Sequence, residues 1–370
     1  MGRVLHLVLA AATMLAVTDG GPEEADQSGG AGSGGLVRTD FRVRGDEGVS
    51  LAVREVRAGG GRAAKRPVLL LHGARVPGVA SFDLPVPGGS LAADLARAGH
   101  RVFVMDARGY GGSTRPAAMS RPPSAGPPAV RSDEVVRDVA AVVEEVSRRT
   151  RAAHPDGKVA LLGWATGGHW LGQYAATYTN RVSHLVLYNT LYGPVTGHPT
   201  MGPGSDFEDP ERPGRFNAAR FGAYRLSTGA GLSPSWDDSI PVPDKSVWRD
   251  PAVVDAYVRA ALASDPTSGS RTPPSFRAPS GALEDSFHLA TGRQLWDAGL
   301  ITAPTLVVRS ERDFWSRAQD VAMLERHLTR AAAVRSVELA DATHYVHLDR
   351  AERGRDRFVA EVLGFLGASR

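Results

Sequence analysis

The sequence predicts an α/β protein: a mostly parallel, eight-stranded sheet with helices on both faces and one long insertion. Three observations predict it. Short apolar runs of strand length alternate with helical segments from Leu36 onward, and strands apolar throughout belong in a sheet covered on both faces. Clusters of chemistry-bearing residues follow these runs, each just beyond a strand. Between Tyr188 and Thr305 the alternation fails over a stretch rich in Pro, Gly and aromatics, too long for a connecting loop.

In order, Leu36–Arg44 and Leu51–Val56 flank Gly45-Asp46-Glu47-Gly48 and read as a hairpin. Val68–Leu71 is a buried strand that ends at His72-Gly73. Leu91–Ala98 is helical and Gly99 stops it. Arg101–Met105 is the next strand, ending at Asp106, and residues 114–130 form a Pro-rich excursion. Ser132–Arg149 is an amphipathic helix with Val135, Val136, Val139, Val142, Val143 and Val146 on one face and Ser132 as its expected N-cap. Val159–Leu162, Val182–Tyr188, Thr305–Val308 and Ser336–Leu339 complete the strands; Ser316–Leu328 and Glu352–Leu366 are the late helices. The expected core is 36–192 with 301–370. Residues 193–300 are expected to cap the C-terminal edge of the sheet, where open α/β sheets bind ligands.

Composition narrows the function classes. The 370 residues are 42% hydrophobic and 22% charged, which suits a globular chain. The net charge is +3, from 43 basic and 40 acidic residues, with no run of five like charges. That argues against a nucleic-acid partner. With no cysteine there is no disulfide, thiolate nucleophile or cysteine metal site. Histidines with metal-ligand spacing lack a third ligand nearby, and the glycines of 109–112 do not follow the dinucleotide fingerprint. No cofactor and no metal are therefore expected.

Arg3 precedes a mostly apolar run, Val4–Val17, of secretory-leader length and too short to span a bilayer. Asp19–Gly35 is acidic and rich in Gly and Ser, as in a flexible tether. Residues 1–35 thus read as a leader and tether of a secreted or periplasmic protein; an ordinary N-terminal helix or a misassigned start codon is the alternative.

The landmarks are His72-Gly73-Ala74, then Asp106-Ala107-Arg108-Gly109-Tyr110-Gly111-Gly112-Ser113, then Gly163-Trp164-Ala165-Thr166-Gly167-Gly168, then Asp313 and His344. In this order, each behind a strand, they resemble the α/β-hydrolase superfamily, in the capped branch of esterases, lactonases and epoxide hydrolases. The resemblance implies a nucleophile elbow, whose apex residue needs small neighbours two before and two after. Gly163 and Gly167 hold those places, so the apex is residue 165. It further implies oxyanion-hole N–H groups from Ala74 and Thr166, His344 as base and Asp313 as its orienter.

The apex is Ala165, which has no nucleophilic atom. Loss of a nucleophilic serine typically costs about 10⁶ in turnover, about 8 kcal/mol of barrier. Three readings stay open: a serine exchanged in the laboratory; a native alanine with the His344–Asp313 dyad acting as general base in a lyase, isomerase or direct-water hydrolase; and a native alanine in a non-catalytic binding protein. Hydrolysis of an ester, lactone or amide is the chemistry the scaffold implies. His347 competes with His344, Glu311 competes with Asp313, and His169 is read as structural. Trp164 is expected to line the pocket. Arg75 would either meet an anionic substrate group or be a solvated loop residue. Phe207, Phe216, Phe221, Tyr224, Trp236, Trp248, Tyr257, Phe276 and Phe287 would either line a largely apolar pocket for a small molecule or form the insertion's own core.

Overall fold

The computed structural model describes residues 35–60 and 65–368. Apart from Gly35, the expected leader and tether lie outside these residues. In chain order the elements are β1 (Leu36–Arg44), β2 (Ser50–Ala58), β3 (Lys65–Leu71), α1 (Gly78–Phe82), α2 (Leu91–Arg97), β4 (His100–Met105), α3 (Ser132–Thr150), β5 (Val159–Trp164), α4 (Thr166–Thr177) and β6 (Val182–Tyr188). There follow α5 (Ala218–Phe221), β7 (Tyr224–Thr228), α6 (Pro234–Ser239), α7 (Pro251–Ala263), β8 (Ser275–Pro279) and α8 (Gly281–Ala290). The chain then returns through β9 (Thr305–Arg312), α9 (Ala318–His327), β10 (Val334–Thr343) and α10 (Arg355–Gly367).

Eight strands form one sheet in the order β1-β2-β4-β3-β5-β6-β9-β10. The β1–β2 and β2–β4 pairs are antiparallel and all the others parallel. Alternation along β3 divides the core in two. Val68 and Leu70 pack with Leu91, Leu95, Phe358 and Val362 from α2 and α10. Leu69 and Leu71 pack on the other face with Val139, Val142 and Trp170 from α3 and α4. Both faces are therefore dry, as the unbroken apolar strands require.

The N-terminus of α3 corrects one expectation. Its N-cap is Arg131, in extended conformation, and Ser132 is the first helical residue. Glu134 accepts from the Arg131 N–H at 2.8 Å, which supplies the reciprocal half of a capping box. Asp285 of α8 accepts from the Ser132 N–H at 2.8 Å, so two of the N–H groups at the helix start are satisfied by carboxylates.

Residues between β6 and β9 build α5 to α8 and a separate two-stranded sheet, β7 against β8. Most of their aromatic residues pack among themselves or onto the core. Phe221 stacks on Phe207 at 5.0 Å and on Phe216 at 5.1 Å. Trp236 stacks on Tyr345 at 4.6 Å, and its indole N–H donates to Asp349 Oδ1 at 2.8 Å. The Trp248 indole donates to the Asp341 carbonyl at 2.8 Å. Two tryptophans of the insertion are thus fastened to the segment around His344. Among the described residues no helix is long and apolar enough to cross a membrane, and no group of three His, Cys, Asp or Glu is placed to hold a metal ion.

Candidate active site

The site is built at the C-terminal ends of β3, β5, β9 and β10. Ala165 sits between β5 and α4 with φ +51° and ψ −117°, a backbone conformation L-residues avoid and one that stores strain. The flanking glycines are there because nothing larger fits. A Cβ on Gly163 would stand 2.5 Å from the Gly167 carbonyl oxygen, and one on Gly167 would stand 2.2 Å from that of Leu71. The turn is held by the Ala165 N–H donating to the Tyr188 carbonyl at 3.0 Å. Thr166 opens α4, so its N–H has no intrahelical acceptor and stands at the positive end of the helix.

The structure pairs His344 with Asp313: Nδ1 lies 2.6 Å from Oδ1, with both side chains buried. A carboxylate only accepts, so Nδ1 carries the proton and Nε2 is left as the basic atom. Asp313 also accepts from the Trp315 N–H at 2.9 Å, the Ser316 N–H at 3.0 Å and the Ser316 hydroxyl. The His344 carbonyl is fixed too, by the Trp164 indole N–H at 3.0 Å and the Asn189 side-chain amide at 3.1 Å. Asn189 reaches β9 as well, donating to Ser310 Oγ at 3.0 Å and accepting from the Ser310 N–H at 2.8 Å.

The competitors lie elsewhere. Glu311 accepts from the Asp341 N–H at 2.7 Å. His347 is fully buried, its ring against Trp164 at 4.5 Å, and burial holds its pKa well below the usual histidine value. His169 accepts at Nδ1 from the Trp296 indole at 2.9 Å, and burial lowers its pKa to about 3.

The loop carrying Ala74 is braced from below. His72 Nδ1 donates to the Gly73 carbonyl at 2.6 Å, and its Nε2 accepts from the Ala107 N–H at 3.1 Å. Burial lowers the pKa of this imidazole, which keeps it neutral. The Ala74 carbonyl accepts from the Tyr110 hydroxyl at 3.0 Å and from Arg225 Nη2 at 2.9 Å. Asp106 accepts from the N–H groups of Gly78 at 2.7 Å and Gly112 at 2.9 Å. Arg108 is buried against Asp138, Nη2 to Oδ1 at 2.6 Å. Both residues hold loops rather than face the pocket.

A cavity of 160 Å³ opens over Ala165 and is lined by Ala74, Thr166, Trp164 and His344 together with Arg75, Val76, Phe314, Trp315 and Tyr345. The insertion contributes Arg225, Ser235 and Tyr257. Six of the seven residues expected from sequence thus meet around one space, and the seventh, Asp313, stands behind His344. Of the nine insertion aromatics named from the sequence only Tyr257 lines it, and the apolar part of the lining comes mostly from Trp164, Phe314, Trp315 and Tyr345. Arg75 is not a solvated loop residue: it donates to Ser227 Oγ at 3.2 Å and to the Gly231 carbonyl at 2.5 Å. Arg225, Phe314, Trp315 and Tyr345 were not foreseen. The last three neighbour Asp313 or His344 in sequence, a signal that could have found them.

Residues 66–233 match the family described as alpha/beta hydrolase fold. The chain is an α/β-hydrolase-fold protein. The family match stops before β9, so Asp313 and His344 stand on geometry alone. No curated protein matches the chain. Among solved structures, this α/β-hydrolase-fold chain is similar to a thioesterase domain from the curacin biosynthetic pathway, at 14% identity and a TM-score of 0.55 over 90% of this chain and 100% of that one. It is similar to a putative aryl esterase from Burkholderia cenocepacia at 19% identity and a TM-score of 0.55, over 89% and 98%. A third is a serine-to-alanine mutant of the meta-cleavage product hydrolase of Pseudomonas fluorescens, complexed with acetates, at 16% identity and a TM-score of 0.55 over 88% and 97%. At these identities the likeness is one of fold.

Proposed function

We propose that the pocket is an acyl-transfer site, that of a hydrolase of small carboxylic esters, lactones or amides working through residue 165, His344 and Asp313. The observation that carries this reading is the apex itself: Ala165 keeps φ +51° beside a hydrogen-bonded His–Asp pair, although a methyl group gains nothing from that strain. With a hydroxyl at 165, His344 Nε2 takes its proton as the oxygen attacks the acyl carbon. The Ala74 and Thr166 N–H groups receive the negative charge on the former carbonyl oxygen. The same imidazolium then protonates the leaving group, and water releases the acid. Alanine removes the first step and leaves acyl binding and the base.

A second reading has His344 act as general base on water or on a carbon acid, in direct hydrolysis, elimination or isomerisation. The intact 2.6 Å bond to Asp313 favours it, because it leaves Nε2 basic. In a non-catalytic binder the same pocket would only hold its ligand. We further propose that residues 193–300 cap the site and that the leader-like segment 1–35 directs the protein out of the cytoplasm.

The test is Ala165→Ser, assayed on a chromogenic short-chain ester and by fluorophosphonate labelling. Labelling at position 165 together with ester hydrolysis supports the acyl-transfer site. A folded variant that neither labels nor hydrolyses overturns it and leaves the binding reading.

A further inference from the structure

The 160 Å³ cavity holds two guanidinium groups and no carboxylate: its lining includes Arg75 and Arg225 but no Asp or Glu. Among the described residues neither arginine has an acidic partner; both are held by neutral oxygens of Ser227, Gly231 and Ala74. The neighbouring strand shows the contrast. Arg277 of β8, opposite Leu226 of β7, pairs with buried Asp265 at 2.8 Å. Arg225, one residue before Leu226, has its Nε buried without a hydrogen-bond partner. Burial, and then the charge of Arg75, lower the Arg225 pKa to about 10, which still leaves it protonated at neutral pH.

Two like charges converging on one small space, with donors to spare, disfavour each other until an anion arrives. The planar fork of arginine matches a carboxylate in two-point geometry. The two come from different parts of the chain. Arg75 follows the loop that carries Ala74, and Arg225 belongs to the insertion and also binds the Ala74 carbonyl. A group bound between them would therefore sit beside the proposed oxyanion donor.

We propose that Arg75 and Arg225 form an anion subsite, and that the molecule this pocket accepts is a small acyl compound carrying a free carboxylate, such as the half-ester of a short dicarboxylic acid. The ester part of this inference rests on the acyl-transfer reading above; the carboxylate part does not. The subsite selects by charge: a neutral analogue of the same shape leaves both guanidinium groups unpaired.

The experiment compares monoethyl succinate with diethyl succinate by isothermal titration calorimetry on the unmodified chain, which cannot turn either over through residue 165. Tighter binding of the monoanion by tenfold or more, falling as NaCl is raised, is expected. Arg75→Gln and Arg225→Gln should each remove most of that preference, and Arg225→Lys should retain part of it. Equal affinity for the two esters, or a preference untouched by both Gln variants, overturns the subsite. Tighter binding of ethyl phosphate than of monoethyl succinate overturns the carboxylate assignment. Should the arginine variants fail to fold, the ester pair and its salt dependence on the unmodified chain decide alone. The two proposals fail separately. If Ala165→Ser hydrolyses a neutral ester without favouring the half-ester, the subsite falls and the acyl site stands. If the half-ester binds through the arginines while Ala165→Ser is inert, the acyl site falls and the subsite stands.

Discussion

The indole N–H of Trp164 donates to the carbonyl oxygen of His344 at 3.0 Å, so the residue just before the elbow apex holds the backbone of the proposed base. The Trp164 ring also packs against the His344 ring at 5.2 Å. Trp164→Phe keeps most of the ring and removes the donor. Loss of one buried hydrogen bond should lower stability by about 1–2 kcal/mol in urea unfolding. In an Ala165→Ser background it should lower kcat more than it raises KM, because the base loses position rather than the substrate its pocket. Parent-like values in both measurements would show that Asn189 alone suffices.

Glycine is required at the elbow for contact reasons, and the contrast with a surface glycine measures it. Gly167→Ala brings a methyl group to 2.2 Å from the Leu71 carbonyl, and such overpacking costs about 1–3 kcal/mol or more. Gly364→Ala, inside α10 with nothing within 4 Å of the new Cβ, should be stabilising by up to about 1 kcal/mol through helix propensity. Thermal unfolding of the two variants should shift in opposite directions.

Asp349 gives a pH signature. It is fully buried, and burial raises its pKa to about 6 against the hydrogen bonds from Thr343 and Trp236. The native state therefore holds this proton more tightly than the unfolded chain, whose carboxyl titrates near 3.8. Its contribution is complete below the unfolded value and is lost as pH rises through about 6. Two pH units correspond to about 3 kcal/mol at most. Asp349→Asn cannot ionise. Relative to the parent it should be more destabilised at pH 4 than at pH 7.5, as read from urea midpoints at the two pH values. An identical difference at both would remove Asp349 as the titrating group.

Restoring a hydroxyl at the apex is the largest expected change. Ala165→Ser should raise ester turnover by up to about 10⁶-fold, the usual worth of such a serine. A gain near 10²-fold would indicate an acyl site whose remaining parts fit the transition state poorly. The double variant Ala165→Ser, His344→Ala should lose the gain, since the nucleophile then has no base. Steady-state rates on a p-nitrophenyl ester check both.

Much of this was legible in the sequence because it rests on close approach and chain order. Gly163 and Gly167 mark the elbow since carbonyl oxygens occupy the space a Cβ would need, and the buried strands announce themselves as apolar throughout. Asp313 and His344 were expected from the resemblance, on their order and their places behind strands, and the structure brings their side chains together. The Ser132 cap was misread because a serine before an apolar stripe is a good N-cap by itself; here Glu134 and Asp285 satisfy the helix start instead. Arg225 left no trace, since only the packing of β7 and the turn after it against residues 74 and 75 brings it beside Arg75. The insertion's helices had readable signals that went unused, among them Asp250-Pro251, where Asp250 caps α7 by accepting from the Ala252 N–H at 2.9 Å.

His72 reaches the pocket through the peptide it binds, and that peptide joins Gly73 to Ala74. Its carbonyl oxygen receives the His72 Nδ1–H at 2.6 Å, while its N–H belongs to Ala74. Pulling electron density toward the oxygen leaves the nitrogen end more positive, so the two hydrogen bonds of one amide reinforce each other. The plane of the amide is set at the same time, because Nε2 of the same ring is anchored to Ala107. A buried, neutral imidazole thereby acts at one remove, as a polariser of the group that would meet the oxyanion.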